Sequence, residues 1–107
     1  MQMEMDCISI TKVILPAVRV NIAKQLDKKY GLSQKEIAQR LGVAQVAVSK
    51  YLNGNYSGAL KKVANRINES GIIDSATIVA VEAGNRETVG KLVNDLCARI
   101  ASNDLVN

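Results

Sequence analysis

Apolar residues recur along most of this chain at intervals of three and four, which is the spacing of one face of an α-helix. The pattern is clearest over residues 16–30, 59–70 and 86–101. The first two stretches are followed by Gly31 and Gly71, and glycine commonly ends a helix because it readily adopts the left-handed conformation. We therefore expect an all-α protein, a compact bundle of about five to six helices.

Two shorter apolar stretches do not show one clear period. Residues 7–15 suit either a helix or a short strand, and Pro16 then predicts a kink or a new helix start. Residues 76–83 include Thr77, Ile78 and Val79, which favour a strand, although the surrounding sequence favours a helix. The pattern leaves both assignments open.

Residues 32–55 predict two short helices joined by a tight turn. Ser33 with Glu36 three residues later has the spacing of a capping box, in which each residue satisfies a free backbone amide of the other. Gly42 is placed to end this first helix, and a second apolar-periodic run begins at Gln45 and ends at Gly54. The motif therefore covers residues 33–54.

The second of these helices has two different faces, because successive residues are about 100° apart around a helix. Ala47, Val48 and Tyr51 form a small apolar stripe, with Leu52 at its edge. The opposite face carries the polar side chains of Gln45, Ser49, Lys50 and Asn53, which supply amide, hydroxyl and ammonium groups, together with the apolar side chain of Val46. Such groups can hydrogen-bond to base edges and phosphates in a DNA major groove.

These residues resemble the Cro and phage-repressor (XRE-like) type of helix-turn-helix. The positions in register are Gln34, Ala38, Gly42, Val48 and Asn53-Gly54. The resemblance implies that Gln34 and Gln45 read bases and clamp a phosphate, and that Val46 and Lys50 face the floor of the groove. It also implies that Asn53 and Asn55 hold the DNA backbone.

The sequence departs from that family at Ala44, where relatives often have Ser or Thr as the cap of the recognition helix. A missing cap costs about 1 kcal/mol. More narrowly, Cys7, residues 15–19 and residues 47–52 are similar to small archaeal predicted transcription regulators. Some of those relatives have a further sensing or enzymatic domain after the motif, and this chain is expected to end too soon for one.

Charge is distributed unevenly along the chain, whose formal net charge is +4. Residues 11–66 contain eleven Lys or Arg but only two acidic residues, Asp27 and Glu36. Because this basic segment contains the motif, double-stranded DNA is the expected partner, although a solvated basic face would give the same count.

Several kinds of chemistry are missing from the sequence. With no histidine and few carboxylates, neither general acid-base catalysis nor a zinc site is expected, so we expect no enzyme, no metal and no cofactor. Cys7 and Cys97 are ninety residues apart and are expected to be free thiols in a reducing cytoplasm, with a redox bridge as the alternative. Neither a signal peptide nor a membrane-spanning helix fits the N-terminal run.

The last predicted helix has an apolar seam, formed by Val89, Leu92, Val93, Leu96 and Ile100. The seam fits either the protein's own core or a two-fold interface, and regulators of this kind, repressors included, commonly read paired half-sites as dimers. We expect one compact domain, with residues 1–71 as the DNA-binding region and residues 72–107 as a helical pair packed on it that could also dimerise.

The sequence therefore predicts a cytoplasmic transcription regulator that binds DNA sequence-specifically as a homodimer, with the helix 45–52 in the major groove. The alternative is a helical protein-interaction module or antitoxin-like adaptor that binds its partner through the apolar C-terminal helices.

Overall fold

A glycine follows each of the first five α-helices, and a side-chain cap begins three of those five, at Ser33, Ser57 and Asp74. In the computed structural model, which describes residues 10–102, a π-helical turn at Ile10–Ile14 continues directly into the first of six α-helices, and no strand occurs in that range. The helices are α1 Leu15–Tyr30, α2 Gln34–Leu41, α3 Gln45–Asn53, α4 Gly58–Ser70, α5 Ser75–Ala83 and α6 Arg86–Ser102. The all-α prediction is confirmed.

Helix α1 is the centre of the bundle and contacts each of the other five helices. Its buried residues are Ala17, Val18, Val20, Asn21, Ile22, Ala23 and Leu26. In the sequence Val18, Ile22, Leu26 and Tyr30 recur at four-residue steps, with Ala23 beside them, which predicts a single apolar face. Burial is wider because neighbouring helices surround α1, whereas Tyr30, at its C-terminal end, is 40% exposed and does not join the core.

A buried amide connects α1 to α4. Asn21 Nδ2 donates to the carbonyl oxygen of Ala17 at 2.9 Å and to that of Ala64 at 3.0 Å. A buried polar side chain is tolerated when it is hydrogen-bonded, so these two bonds offset the cost of its desolvation. The hydrophobic pattern gave no indication of this link.

The two ambiguous stretches are resolved as helix where the structure describes them. Ser75–Ala83 is α-helical because the Asp74 carboxylate accepts from the Thr77 amide at 2.9 Å, and Ile78 and Val81 are buried. The regular α-helix of α1 begins at Leu15, with Pro16 in its first turn as expected, after the π-helical turn.

The C-terminal helices pack on the rest of the chain. Four residues of the α6 seam, Val89, Val93, Leu96 and Ile100, are at most 5% exposed, and Leu92 is half-buried. Arg40 of α2 also donates from Nε to the carbonyl oxygen of Glu82 at 2.9 Å, which ties α2 to α5. The seam therefore belongs to the protein's own core, the first of the two alternatives that the sequence allowed.

The Cα radius of gyration is 12.9 Å, close to the ~13 Å typical of one compact domain of this length. Buried residues of the motif and of the C-terminal helices belong to one hydrophobic cluster.

Candidate nucleic-acid interface

The start of α2 is closed by a full capping box, as the sequence predicted. Ser33 Oγ accepts from the Glu36 amide at 3.1 Å, and the Ser33 amide donates to Glu36 Oε1 at 2.9 Å. Hydrogen bonds from the Ser33 backbone amide, and secondarily from its side chain, lower the pKa of Glu36 below its ordinary value. Gln34, the first residue of α2, is half-buried directly after this cap.

The start of α3 has no equivalent cap. Ala44 occupies the cap position with φ −72° and ψ 149°, and no side chain accepts a hydrogen bond there. The free amides of the first turn are consequently left to solvent or to a ligand. This is the departure from the family pattern that the sequence indicated.

The outward face of α3 is uncovered. Gln45, Lys50 and Asn53 are exposed, Val46 is 64% exposed and Ser49 is half-buried. On the opposite face Val48 is fully buried, while Ala47, Tyr51 and Leu52 are half-buried. The helix therefore has the two faces that the 100° rotation per residue predicted.

One hydrogen bond orders the outward face. Asn53 Nδ2 donates to Ser49 Oγ at 3.3 Å, one turn away, which brings an amide and a hydroxyl together beside Lys50. The pair presents both donors and acceptors to solvent.

The end of α3 is fixed by backbone bonds. Gly54 has a φ of 69°, a conformation that strongly favours glycine, and its amide and that of Asn55 both donate to the Lys50 carbonyl oxygen. Asn55 itself is exposed. After it, the Lys61 ammonium lies 5.9 Å from the centroid of the Tyr56 ring, so the loop is held against the start of α4.

The structure brings Gln45, Val46, Ser49, Lys50 and Asn53 together on one helix face, with Asn55 just beyond its end. Gln34 lies on the other helix of the motif. Two basic residues that sequence reasoning did not select lie beside this face, since Lys35 and Arg86 line one depression together with Gln45. Lys35 was detectable from its place in the first turn of α2, whereas Arg86, more than forty residues further along, gave no local signal.

The burial of Cys97 does not favour a redox bridge, the alternative that the sequence left open for the cysteines. Cys97 is 3% exposed, and burial raises the pKa of its thiol despite the opposing charge of Arg19. A buried, protonated thiol acts as a small apolar side chain. Cys7 lies outside the described residues.

Between residues 10 and 102 no group of three potential metal ligands comes together. Over that range no helix has the length and apolar character needed to cross a membrane.

No curated protein and no solved structure matches the chain. A family model does match, and the family it describes is one of DNA-binding regulators that are generally not enzymes. Residues 22–70, from the middle of α1 to the end of α4, match the model for the helix-turn-helix family, so this part of the protein is a helix-turn-helix domain.

Proposed function

We propose that this protein is a sequence-specific transcription regulator that binds double-stranded DNA with α3 in the major groove. The observation that carries the proposal is the uncovered face of α3. Gln45 and Lys50 are exposed within the matched segment, while Val48 behind them is fully buried. A helix with this division of faces can enter the groove without disturbing the core.

The side chains of that face would divide the work of recognition. Gln45 can form two hydrogen bonds with an adenine edge, and Lys50 can donate to guanine or to a phosphate. Val46 offers methyl groups to thymine, and the Ser49–Asn53 pair offers mixed donors and acceptors. Gln34 and Asn55, at the start of α2 and the end of α3, would contact the sugar-phosphate backbone and fix the register.

Charge supports the same partner. Of the eleven basic residues between positions 11 and 66, those that contact phosphates would release counterions from DNA, and this term is often the dominant part of the affinity of protein–DNA complexes. The mechanism is binding without catalysis.

The symmetry of the complex is a further part of the proposal. A homodimer would place two copies of α3 about one helical turn of DNA apart and would read a palindromic operator. Because the α6 seam is used within the chain, the two subunits would have to meet through other residues. The narrower resemblance to small archaeal regulators and a cytoplasmic location stay predictions.

The alternative, a protein-interaction module that uses the apolar C-terminal helices, is less favoured. That interpretation needs apolar surface on α5 and α6. The central residues of the α6 seam lie in the core, which leaves mainly Val79 of α5, 54% exposed, to such a partner. Salt dependence separates the two functions, because duplex binding weakens steeply with added salt and apolar partner binding does not.

The direct test is selection of bound duplexes from a random pool by the full chain, together with a measurement of the molar mass of the complex. We expect a conserved palindrome with half-sites one helical turn apart. Recovery of duplexes without any shared sequence would contradict specific recognition, and a 1:1 complex on a single half-site would contradict the dimer.

Substitution of Gln45 then tests the groove assignment. Gln45→Ala should weaken binding to the selected site by about 5- to 150-fold, the value of one good base contact, and relax the preference at one base position. Gln25→Ala in α1, outside the motif, is the matched control and should leave the preference intact. Unchanged affinity and preference in Gln45→Ala would rule out α3 as the reading helix.

A further inference from the structure

A surface depression lies beside the turn between α2 and α3, with a volume of about 450 Å³. Three parts of the chain form its lining. These are Lys35, Ala38 and Gln39 of α2, Gly42, Val43, Ala44 and Gln45 from the turn into α3, and Arg86 of α6. The depression thus joins the helix-turn-helix domain to a helix outside the matched segment 22–70.

Arg86 lies across the turn. Its Nε is 2.9 Å, and its Cγ 3.4 Å, from the position that a Cβ atom on Gly42 would occupy. Gly42 has a φ of 69°, a backbone conformation that favours glycine, and the exposed side chain of Arg86 would have to shift to admit a Cβ atom there. The Arg86 side chain therefore lies beside the turn that leads into α3, and the residue is exposed.

The charge of the depression is entirely positive. Lys35 and Arg86 line it with the amides of Gln39 and Gln45, and no carboxylate is among the lining residues. Among residues 12–102 Arg86 has no ion pair, whereas Arg40 close by is paired with Glu82 at 3.9 Å. Glu36, the one acidic residue of the motif, is engaged in the capping box. An anion entering this depression would meet two cations and no opposing charge.

We propose that this depression binds a phosphate of the DNA backbone, and that Arg86 therefore belongs to the DNA-binding surface. This inference rests on the proposed function. Gln45 lines the depression and also begins the reading face of α3, so a phosphate held here would set the register of the base contacts. An arginine suits the role, since its planar guanidinium can donate two parallel hydrogen bonds to a phosphate.

The test compares three variants of the full chain by measuring duplex affinity as a function of salt concentration. Arg86→Met removes the charge but keeps an unbranched side chain that can still cover Gly42. It should weaken binding to the selected site and to a scrambled duplex alike, by roughly eightfold at 0.1 M salt. The plot of the logarithm of the association constant against the logarithm of salt concentration should become less steep by about one. Arg86→Lys should keep the slope and recover part of the affinity.

Lys91→Met is the matched control. Lys91 is exposed on the same helix but lines a different depression, with Thr88, Leu92, Asn94 and Asp95. Its substitution should leave the salt slope unchanged. Thermal unfolding of all three variants reports separately on any structural effect of Arg86 at the turn.

The outcomes separate this inference from the proposed function. If Arg86→Met keeps the wild-type salt slope while Gln45→Ala loses its base preference, the phosphate site is wrong and the proposed function stands. Loss of affinity in Arg86→Met that Arg86→Lys does not restore, accompanied by a lower unfolding temperature, would assign Arg86 a structural role and overturn the inference. If the wild-type chain binds no duplex at all, both fail.

Discussion

Helices α2 and α3 are nearly equal in length, eight and nine residues, but they are stabilised in different ways. A capping box closes the start of α2, which buries Ile37, Ala38 and Leu41. The start of α3 has no side-chain cap, and Val48 is its only fully buried residue. The first helix is thus a scaffold, while the second leaves four of its nine side chains, those of Gln45, Val46, Lys50 and Asn53, exposed to a partner.

The backbone geometry makes the contrast sharper. Ser33 and Ala44 have almost the same conformation, with φ −71° and ψ 162° for the first and φ −72° and ψ 149° for the second. The two helix starts therefore differ in side-chain chemistry rather than in backbone path. The order of α3 therefore depends on its packing against α1 and α2 and on Gly54, which ends the helix.

The largest expected effect comes from breaking the scaffold. Ile37→Ala should lower the free energy of unfolding by about 3 to 4 kcal/mol, because Ile37 is fully buried and its removal leaves a cavity. Urea unfolding measures this change. A loss below about 1 kcal/mol would mean that neighbouring side chains fill the space around the smaller residue. The burial of Ile37 would then not make α2 more stable than α3.

The next effect separates the two faces of α3 with the same substitution. Val48→Ala should cost about 2 kcal/mol of stability, because Val48 is fully buried. Val46→Ala, at a residue 64% exposed, should change stability by less than about 0.5 kcal/mol but weaken DNA binding. Urea unfolding and duplex titration of both variants check this. Equal stability losses would contradict the division of faces.

A substitution with a smaller expected effect gives the start of α3 a side-chain cap like that of α2. Ala44→Ser should raise the free energy of unfolding by about 1 kcal/mol, because the extended backbone at this exposed residue already suits a capping hydroxyl. Ala59→Ser, at an exposed position in the first turn of α4, introduces the same hydroxyl where no cap can form and should give no gain. A similar result for the two variants would refute the capping explanation.

The smallest expected effect is the pH dependence of the stability that the capping box contributes. Hydrogen bonds from the Ser33 amide and then its hydroxyl hold the pKa of Glu36 below the value it has in the unfolded chain. The folded state therefore binds the proton less readily, so the stabilisation is present above the unfolded pKa and is lost as pH falls through the lowered one.

This can be measured with Glu36→Gln, which keeps a capping-box side chain but cannot titrate. The stability advantage of the wild type over Glu36→Gln should be constant near neutral pH and shrink in the acid range. An advantage that grows on acidification would mean that folding raises the pKa of Glu36 instead of lowering it. Asp74, whose pKa is lowered mainly by a hydrogen bond from the Thr77 amide, is the same in both proteins and cancels in the comparison.

Features that depend on residues close together in the chain could be predicted from the sequence. The capping box at Ser33, the stops at Gly31, Gly42 and Gly54, and the two faces of α3 are confirmed. Each involves groups no more than a few residues apart, whose geometry follows from the helix repeat and from hydrogen bonds within one turn. The roles of the exposed residues toward DNA stay predictions.

The placement of these elements against one another became visible in the folded structure alone. The fold buried α1 on several sides, joined Asn21 to Ala64 across forty-three residues, and turned the α6 seam inward. It also laid Arg86 over Gly42, outside the segment that the family pattern covers. The spacing of apolar residues indicates that a helix face must be buried. It does not indicate which element covers that face, because the hydrophobic effect is not directional. The partner of each face is therefore settled by the packing of the whole domain.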